Sequence, residues 1–118
     1  TGETPEALAR ATWLAHELGL RPFELAEEHR ALYHAGAAIA SNFLVTLYRA
    51  AARAFERSGA PPEALVPLIR RTIDNGFELT GPIARGDRVT VEAHLGAIRA
   101  HLPDLEPLYL ALAERTRP

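Results

Sequence analysis

The sequence contains no cysteine, no lysine and no methionine among its 118 residues. Without cysteine the chain can form neither a disulfide nor a thiolate zinc site, and it has no thiol nucleophile. Because all 13 basic residues are arginine, the chain supplies no Schiff-base lysine and no P-loop. The missing methionine leaves two possibilities: an initiator removed before Thr1, or a chain that is part of a longer protein.

Long apolar runs and a large excess of one charge are also missing. No stretch reaches the roughly 20 apolar residues that a membrane-spanning helix needs, and no signal-peptide pattern is present. The formal net charge is −2, so the basic excess typical of nucleic-acid binders is absent. We therefore expect no nucleic-acid partner and no membrane partner, and a soluble, cytoplasmic protein is the default expectation.

Alanine and leucine dominate what is present. There are 22 alanines and 17 leucines, against only 9 valines and isoleucines combined. Small and unbranched side chains favour helices, whereas β-branched side chains favour strands. The composition therefore predicts an all-α domain.

The first 25 residues predict one helix followed by one short strand. Thr4 and Pro5 are typical of a helix start, and Gly19 is typical of a helix end. The alternation over residues 21–25 favours a strand, but the rest of the chain offers it no partner. We interpret this strand as a sign that a neighbouring domain is missing, or that the segment pairs with a symmetry-related copy.

One long helix is predicted from about residue 26 to residue 57, roughly 45 Å in length. Two apolar stripes follow it at helical spacing: Leu32, Gly36, Ile39, Phe43, Leu47, Ala50 and Ala54, and beside them Tyr33, Ala37, Ala40, Leu44, Tyr48, Ala51 and Phe55. Because its first half is apolar nearly all round, we expect this helix to be central and buried. The remaining helices are too short to cover it, which predicts a homodimer.

Three shorter helices are predicted to follow. The first covers residues 62–75, where Pro67 is expected to introduce a kink. A loop rich in glycine and proline then leads to Asp87, which is a suitable cap for the next helix. Pro103 is predicted to start the last helix.

Three polar residues interrupt the long helix and form the first candidate site. Ser41 and Asn42 follow His34 by seven and eight residues. This spacing places all three on one helical face. One interpretation is structural, because buried polar groups need hydrogen-bond partners. The other is a substrate pocket in which His34 transfers a proton while Ser41 and Asn42 orient the substrate.

The loop over residues 79–87 forms the second candidate site. Its glycines allow unusual backbone angles or close approach of a ligand, and Arg85 can clamp a carboxylate or a phosphate. The alternative is a tight connection in which Arg85 pairs with Asp87. His94 is interpreted as a structural histidine, and no spacing of possible ligands indicates a metal site.

Two strings of residues resemble the C-terminal helical half of a family of two-domain Rossmann-like oxidoreductases, a half described as a domain of unknown function. The strings are Tyr33-His34-Ala35 followed by Ala40-Ser41-Asn42-Phe43-Leu44, and Leu79-Thr80-Gly81-Pro82-Ile83-Ala84-Arg85-Gly86-Asp87 followed by Val91-Glu92-Ala93-His94-Leu95. The family is similar to pyrroline-5-carboxylate reductase, ketopantoate reductase and 6-phosphogluconate dehydrogenase. The resemblance covers the whole chain.

The resemblance implies a helical bundle around one long central helix, like the C-terminal domain of 6-phosphogluconate dehydrogenase. Residues 1–25 would be the last helix and strand of a missing dinucleotide-binding domain, and residues 26–118 the dimerisation and substrate-cleft domain. NAD or NADP would bind the absent half, because this chain has no G-x-G-x-x-G motif. The chain alone would bind no cofactor and would be inactive.

The resemblance also implies roles for particular residues. Asn42 matches an asparagine of the hydroxyacid dehydrogenases, but the lysine one turn earlier is replaced by Ala38. His34 is the titratable residue on that face that could substitute for the lysine. Substrate-binding positions carried over from the proline-forming reductase are Thr80, Gly81 and Arg85.

Together these features predict a domain of an NAD(P)-dependent oxidoreductase that moves a hydride to or from a C=O or C=N carbon. The alternative is a stand-alone helical homodimeric interaction module without catalysis. A small-molecule sensor or a hydrolase built on a helical bundle is a third possibility.

Overall fold

In the computed structural model, which describes residues 4–116, the chain is helical and this described part contains no strand. The α-helices are α1 (Pro5–Glu17), α2 (Arg30–Ser58), α3 (Leu65–Asp74), α4 (Arg88–His101) and α5 (Glu106–Arg115). Single 3-10 turns precede α2, α3 and α5 at Glu27–His29, Pro62–Ala64 and Pro103–Leu105. The predicted all-α class is confirmed.

Local capping signals define α1. The Thr4 hydroxyl accepts a hydrogen bond from the backbone N–H of Ala7 at 3.2 Å, and Pro5 occupies the first helical position. At the other end Gly19 has a φ of 69°, and the next N–H, from Leu20, returns to the carbonyl of Ala15 at 2.8 Å. This is a Schellman ending, so both predicted ends of α1 are confirmed.

The strand predicted at residues 21–25 is not formed. Residues 20–26 have no regular secondary structure and connect α1 to the 3-10 turn before α2. A strand requires hydrogen bonds from a neighbouring strand, and the described part of the chain provides none. The alternating pattern was therefore insufficient for a strand in this chain.

The long helix is confirmed, whereas its expected burial is wrong. α2 contains 29 residues, and none of them is buried. The side chains of Leu32, Ile39 and Phe43 are 73%, 61% and 58% exposed. An apolar helix is buried only where another element covers it, and α2 keeps its apolar surface exposed in the single chain.

Pro67 lies nearer the start of its helix than the predicted kink assumed. The stretch from Pro62 to Ala64 forms a 3-10 turn, and α3 begins only at Leu65. Pro67 therefore lies in the first turn of α3, where its missing N–H has no intrahelical acceptor to lose. Proline is tolerated at this position without distorting the helix.

The chain divides into two compact units, one ending at Ala40 and the other beginning at Ser41. In the first unit the ring of Phe23 lies against the ring of Tyr33, with centroids 5.7 Å apart. In the second unit Leu65 and Leu95 are the buried apolar residues of the described part. The predicted domain boundary between residues 25 and 26 stays a prediction.

Two ion pairs connect α5, and the 3-10 turn before it, to other helices of the second unit. The guanidinium of Arg53 donates two hydrogen bonds to the carboxylate of Asp104, at 2.7 and 2.9 Å. Arg99 donates to Glu106 at 2.6 Å. These pairs connect α2 to the 3-10 turn before α5, and α4 to the start of α5.

Candidate functional site

The polar residues of α2 are exposed. His34 belongs to the first compact unit, while Ser41 and Asn42 begin the second unit on the same continuous helix. All three residues are exposed in the chain. The premise that they are buried polar groups in need of partners is therefore wrong, and their substrate role stays a prediction.

One aromatic ring, that of Tyr33, lies beside His34 within the first unit. Its imidazole lies 5.7 Å from the ring of Tyr33, and Tyr33 in turn contacts Phe23 from the segment before α2. The Tyr33 side chain is 48% exposed and that of Phe23 is 66% exposed. An exposed imidazole beside apolar rings can donate or accept a proton next to the apolar part of a ligand.

The loop at residues 79–87 is built around one helical turn. The N–H of Arg85 donates to the carbonyl of Gly81 at 3.2 Å, and that of Asp87 donates to Pro82 at 2.9 Å. Gly86, with a φ of 66°, closes this turn. Among the predicted substrate-binding residues, Thr80 and Arg85 are exposed and Gly81 is half-buried.

Asp87 caps α4, as predicted. Its carboxylate accepts hydrogen bonds from the N–H of Thr90 at 3.1 Å and from the hydroxyl of Thr90 at 2.7 Å. These two bonds favour the charged form and lower the pKa of Asp87, and the positive charge of Arg85 lowers it further. Asp87 and Arg85 nevertheless form no salt bridge, so the charge of Arg85 acts on Asp87 from beyond ion-pair distance.

A groove runs between this loop, α4 and the end of α5. We call it the α4–α5 groove. It encloses about 980 Å³ and is lined by Pro82, Ile83, Ala84, Arg85, Gly86, Asp87, Arg88, Val91, Glu92, Leu110, Ala113 and Glu114. Residues 82–87 of this lining belong to the loop predicted as the second candidate site. Arg88, Glu92 and the α5 residues were not predicted, because only the folded chain places α5 beside the loop.

His94 lies next to α5 and makes a specific contact. Its Nδ1 is 2.9 Å from the hydroxyl oxygen of Tyr109, and the two rings meet edge to face with centroids 6.0 Å apart. Partial burial raises the pKa of Tyr109. This hydrogen bond between α4 and α5 agrees with the structural role expected for His94.

The described residues do not fit a dinucleotide cofactor. A Rossmann site requires a strand, a glycine-rich turn and a helix whose N-terminus faces the pyrophosphate. Residues 4–116 contain no strand, and the complete sequence contains no G-x-G-x-x-G.

No helix within residues 4–116 is both long enough and apolar enough to cross a membrane.

Comparison with known proteins gives a family and a structural relative. The family model DUF2520, a domain of unknown function, matches residues 1–116. The crystal structure of a provisionally named NADP oxidoreductase from Bacteroides fragilis superposes with a TM-score of 0.77 and is 27% identical. The match covers 97% of this chain but 46% of the Bacteroides chain. No curated protein matches. These comparisons confirm the resemblance to the C-terminal helical domain of Rossmann-like oxidoreductases.

Proposed function

The chain belongs to the DUF2520 family, and we propose that it is the dimerisation and substrate-binding domain of an NAD(P)-dependent oxidoreductase. The observation that carries this proposal is the match along 97% of the chain to a protein named as an NADP oxidoreductase. The parent enzyme would transfer a hydride to or from a C=O or C=N carbon. Its cofactor would bind a separate dinucleotide-binding domain of the parent enzyme.

Within this proposal, proton transfer falls to His34. Reduction of a carbonyl or imine leaves an oxygen or nitrogen that needs a proton, and an imidazole can supply one near neutral pH. The exposed position of His34 beside Tyr33 supports this role, because the imidazole can be reached by a ligand. Ser41 and Asn42 would orient the reacting group through hydrogen bonds.

The loop at residues 79–87 would hold a different part of the substrate. Arg85 is exposed and forms no salt bridge with the neighbouring Asp87, so its guanidinium can bind an anionic group. Gly81 has a φ of 101°, a conformation that side chains disfavour, and lets backbone approach a ligand closely. Thr80 is exposed beside it and supplies a hydroxyl.

A homodimer through α2 is the second part of the proposal. In the single chain Leu32 is 73%, Ile39 is 61% and Phe43 is 58% exposed. Covering such apolar surface with a second copy is favourable. These three residues belong to one apolar stripe at helical spacing on α2, so we assign the dimer contact to this stripe. We propose a cytoplasmic location from the composition.

The alternative is a helical homodimeric module without catalysis. It also uses the exposed surface of α2 for dimerisation, but it involves no hydride or proton transfer. Both proposals predict a dimer. The interaction module requires no function from the polar residues His34, Ser41 and Asn42. Substitution at His34 in an assay for turnover therefore separates the two.

The test uses the full-length protein with NADPH or NADH and a panel of oxo acids and cyclic imines. We expect His34→Gln to lower kcat by roughly 100-fold or more, the usual contribution of a general acid, without weakening NADPH binding. His101→Gln is the matched control, because His101 is an exposed histidine at the end of α4. Absence of both NADPH and NADH oxidation by the wild type with every compound of the panel would refute the oxidoreductase. A His34→Gln enzyme within threefold of wild type would refute the role of His34.

A further inference from the structure

The turn that ends α3 carries one of the two side-chain amides of the chain. The 118 residues include two asparagines, Asn42 and Asn75, and no glutamine. Asn75 is directly followed by Gly76, whereas Asn42 is followed by Phe43 inside α2. An asparagine before glycine is open to attack by the next backbone nitrogen, because glycine has no side chain to hinder the approach.

The turn leaves space around this dipeptide, since Asn75 and Gly76 are both exposed. Gly76 has a φ of 73°, and apart from its chain neighbours no described atom lies within 4 Å of where its Cβ would be. The side-chain oxygen of Asn75 accepts a hydrogen bond from the backbone N–H of Glu78 at 3.2 Å. This bond polarises the side-chain carbonyl, and a polarised carbonyl carbon is attacked more readily by a nucleophile.

Two hydrogen bonds oppose such an attack while the turn is closed. The N–H of Gly76 donates to the carbonyl of Ile73 at 3.0 Å, and that of Phe77 donates to Thr72 at 2.9 Å. The ψ of Asn75 is 9°, so this angle must rotate before the Gly76 nitrogen reaches the side-chain carbon. Both hydrogen bonds lie at an exposed helix end, where local opening costs little. The left-handed backbone of Phe77, with a φ of 62°, weakens the closed turn further.

We propose that Asn75-Gly76 is a site of spontaneous deamidation, with water as the co-reactant. The backbone nitrogen of Gly76 forms a bond to Cγ of Asn75, the bond from Cγ to Nδ2 breaks, and Nδ2 leaves as ammonia with the proton of the Gly76 N–H. Water then opens the resulting five-membered imide. Addition of water at Cγ gives aspartate in the normal chain, whereas addition at the backbone carbonyl gives isoaspartate, whose backbone runs through the side chain. The reaction does not depend on the oxidoreductase activity proposed above.

Deamidation changes the end of α3. Either product adds a negative charge beside Asp74, at the helix end where the macrodipole is already negative. Isoaspartate also lengthens the backbone by one methylene, which displaces the N–H groups of Gly76 and Phe77 from their acceptors on α3. The loop at residues 79–87 follows this turn closely, so deamidation loosens its attachment to α3.

The test is peptide mapping of the full-length protein after incubation at physiological temperature and neutral pH. Cleavage after arginine releases residues 72–85 and residues 31–49, which contain Asn75 and Asn42 separately. We expect deamidation in residues 72–85 to be at least about tenfold faster, with isoaspartate among the products, because the interior of α2 opens less often than a helix end. Equal rates at the two asparagines would overturn the proposal.

Asn75→Gln is the matched variant, because glutamine keeps the amide but forms a six-membered ring, which closes more slowly. Deamidation in residues 72–85 should fall by at least about tenfold in this variant, since the attacking nitrogen is less well positioned. An unchanged rate would overturn the proposal, because it would indicate direct hydrolysis of the amide by water.

The effect on α3 is measured on the aged protein, which ion exchange separates from the unmodified protein by its additional negative charge. We expect the isoaspartate form to have a Tm that is lower by a few degrees. Asn75→Asp, which has the charge but the normal backbone, should lie between this form and the wild type. A Tm of the isoaspartate form equal to that of the unmodified protein would overturn the proposed loosening of this turn.

Discussion

Phe43 offers a direct test of whether a second copy covers α2. Its side chain is 58% exposed in the single chain. Full burial of such a side chain is worth roughly 1.5–3 kcal/mol, so covering the exposed part is worth about 1–1.7 kcal/mol for each copy. In a two-fold symmetric dimer both copies contribute, and the Phe43→Ala variant should lose about 2–3 kcal/mol of association free energy. The dissociation constant should rise roughly 30- to 140-fold.

The assay is sedimentation velocity over a concentration series. Val89→Ala is the matched control: Val89 lies on α4, is 83% exposed and is outside the proposed contact. The wild type and this control should remain dimers at micromolar concentration, while Phe43→Ala dissociates. A wild type that sediments as a monomer at micromolar concentration would refute the dimer, and equal dissociation constants for wild type and Phe43→Ala would refute the role of this stripe.

Two further predictions concern the stability of the second unit. The pKa of Asp87 lies below its ordinary 3.8 because Thr90 donates to the charged form, so its stabilising effect is complete above about pH 4 and is lost as the pH falls through the depressed value. Thermal melts should therefore show a lower Tm for Asp87→Ala at pH 7 and a difference from wild type that shrinks below pH 4; a difference independent of pH would contradict the cap. Phe77 has a φ of 62° and is 72% exposed, so Phe77→Asn relieves a backbone cost of about 1 kcal/mol with little loss of burial and should raise the Tm by a few degrees. A lower Tm in that variant would show that the ring stabilises the chain more than the left-handed backbone costs.

Features that depend on neighbouring residues could be predicted from the sequence. Thr4, Gly19 and Asp87 act through hydrogen bonds that span three to five residues, and the structure confirms all three. The length of α2 is predictable for the same reason, because a long stretch without proline and with helical spacing needs no tertiary contact to be recognised.

Features that depend on distant partners could not be predicted. The strand at residues 21–25 needs a neighbour that the described part lacks, so its alternation leads to no strand. The burial of α2 was inferred from its apolar character, but burial depends on what covers the helix, and the single chain leaves Leu32 73% exposed. The apolar stripes of α2 predict a surface that binds another element or molecule, but they do not identify which one.

The candidate site also combines features set by neighbouring residues with features set by residues distant in the sequence. Arg85 could be named as a candidate because its guanidinium can clamp an anion and its loop resembles the substrate loop of a known reductase. Arg88 and Leu110 could not, since they border the groove only after α5 has packed beside α4. The hydrogen bond between His94 and Tyr109, fifteen residues apart, is one contact that holds these helices together.

Sequencing the gene upstream of the codon for Thr1 shows whether this domain is joined to a dinucleotide-binding domain. We expect about 120–150 codons for a fold that begins with a strand, a glycine-rich turn and a helix, the unit that binds a dinucleotide. A start codon immediately before Thr1 would refute the proposal, because residues 4–116 form no strand and the printed sequence has no G-x-G-x-x-G motif.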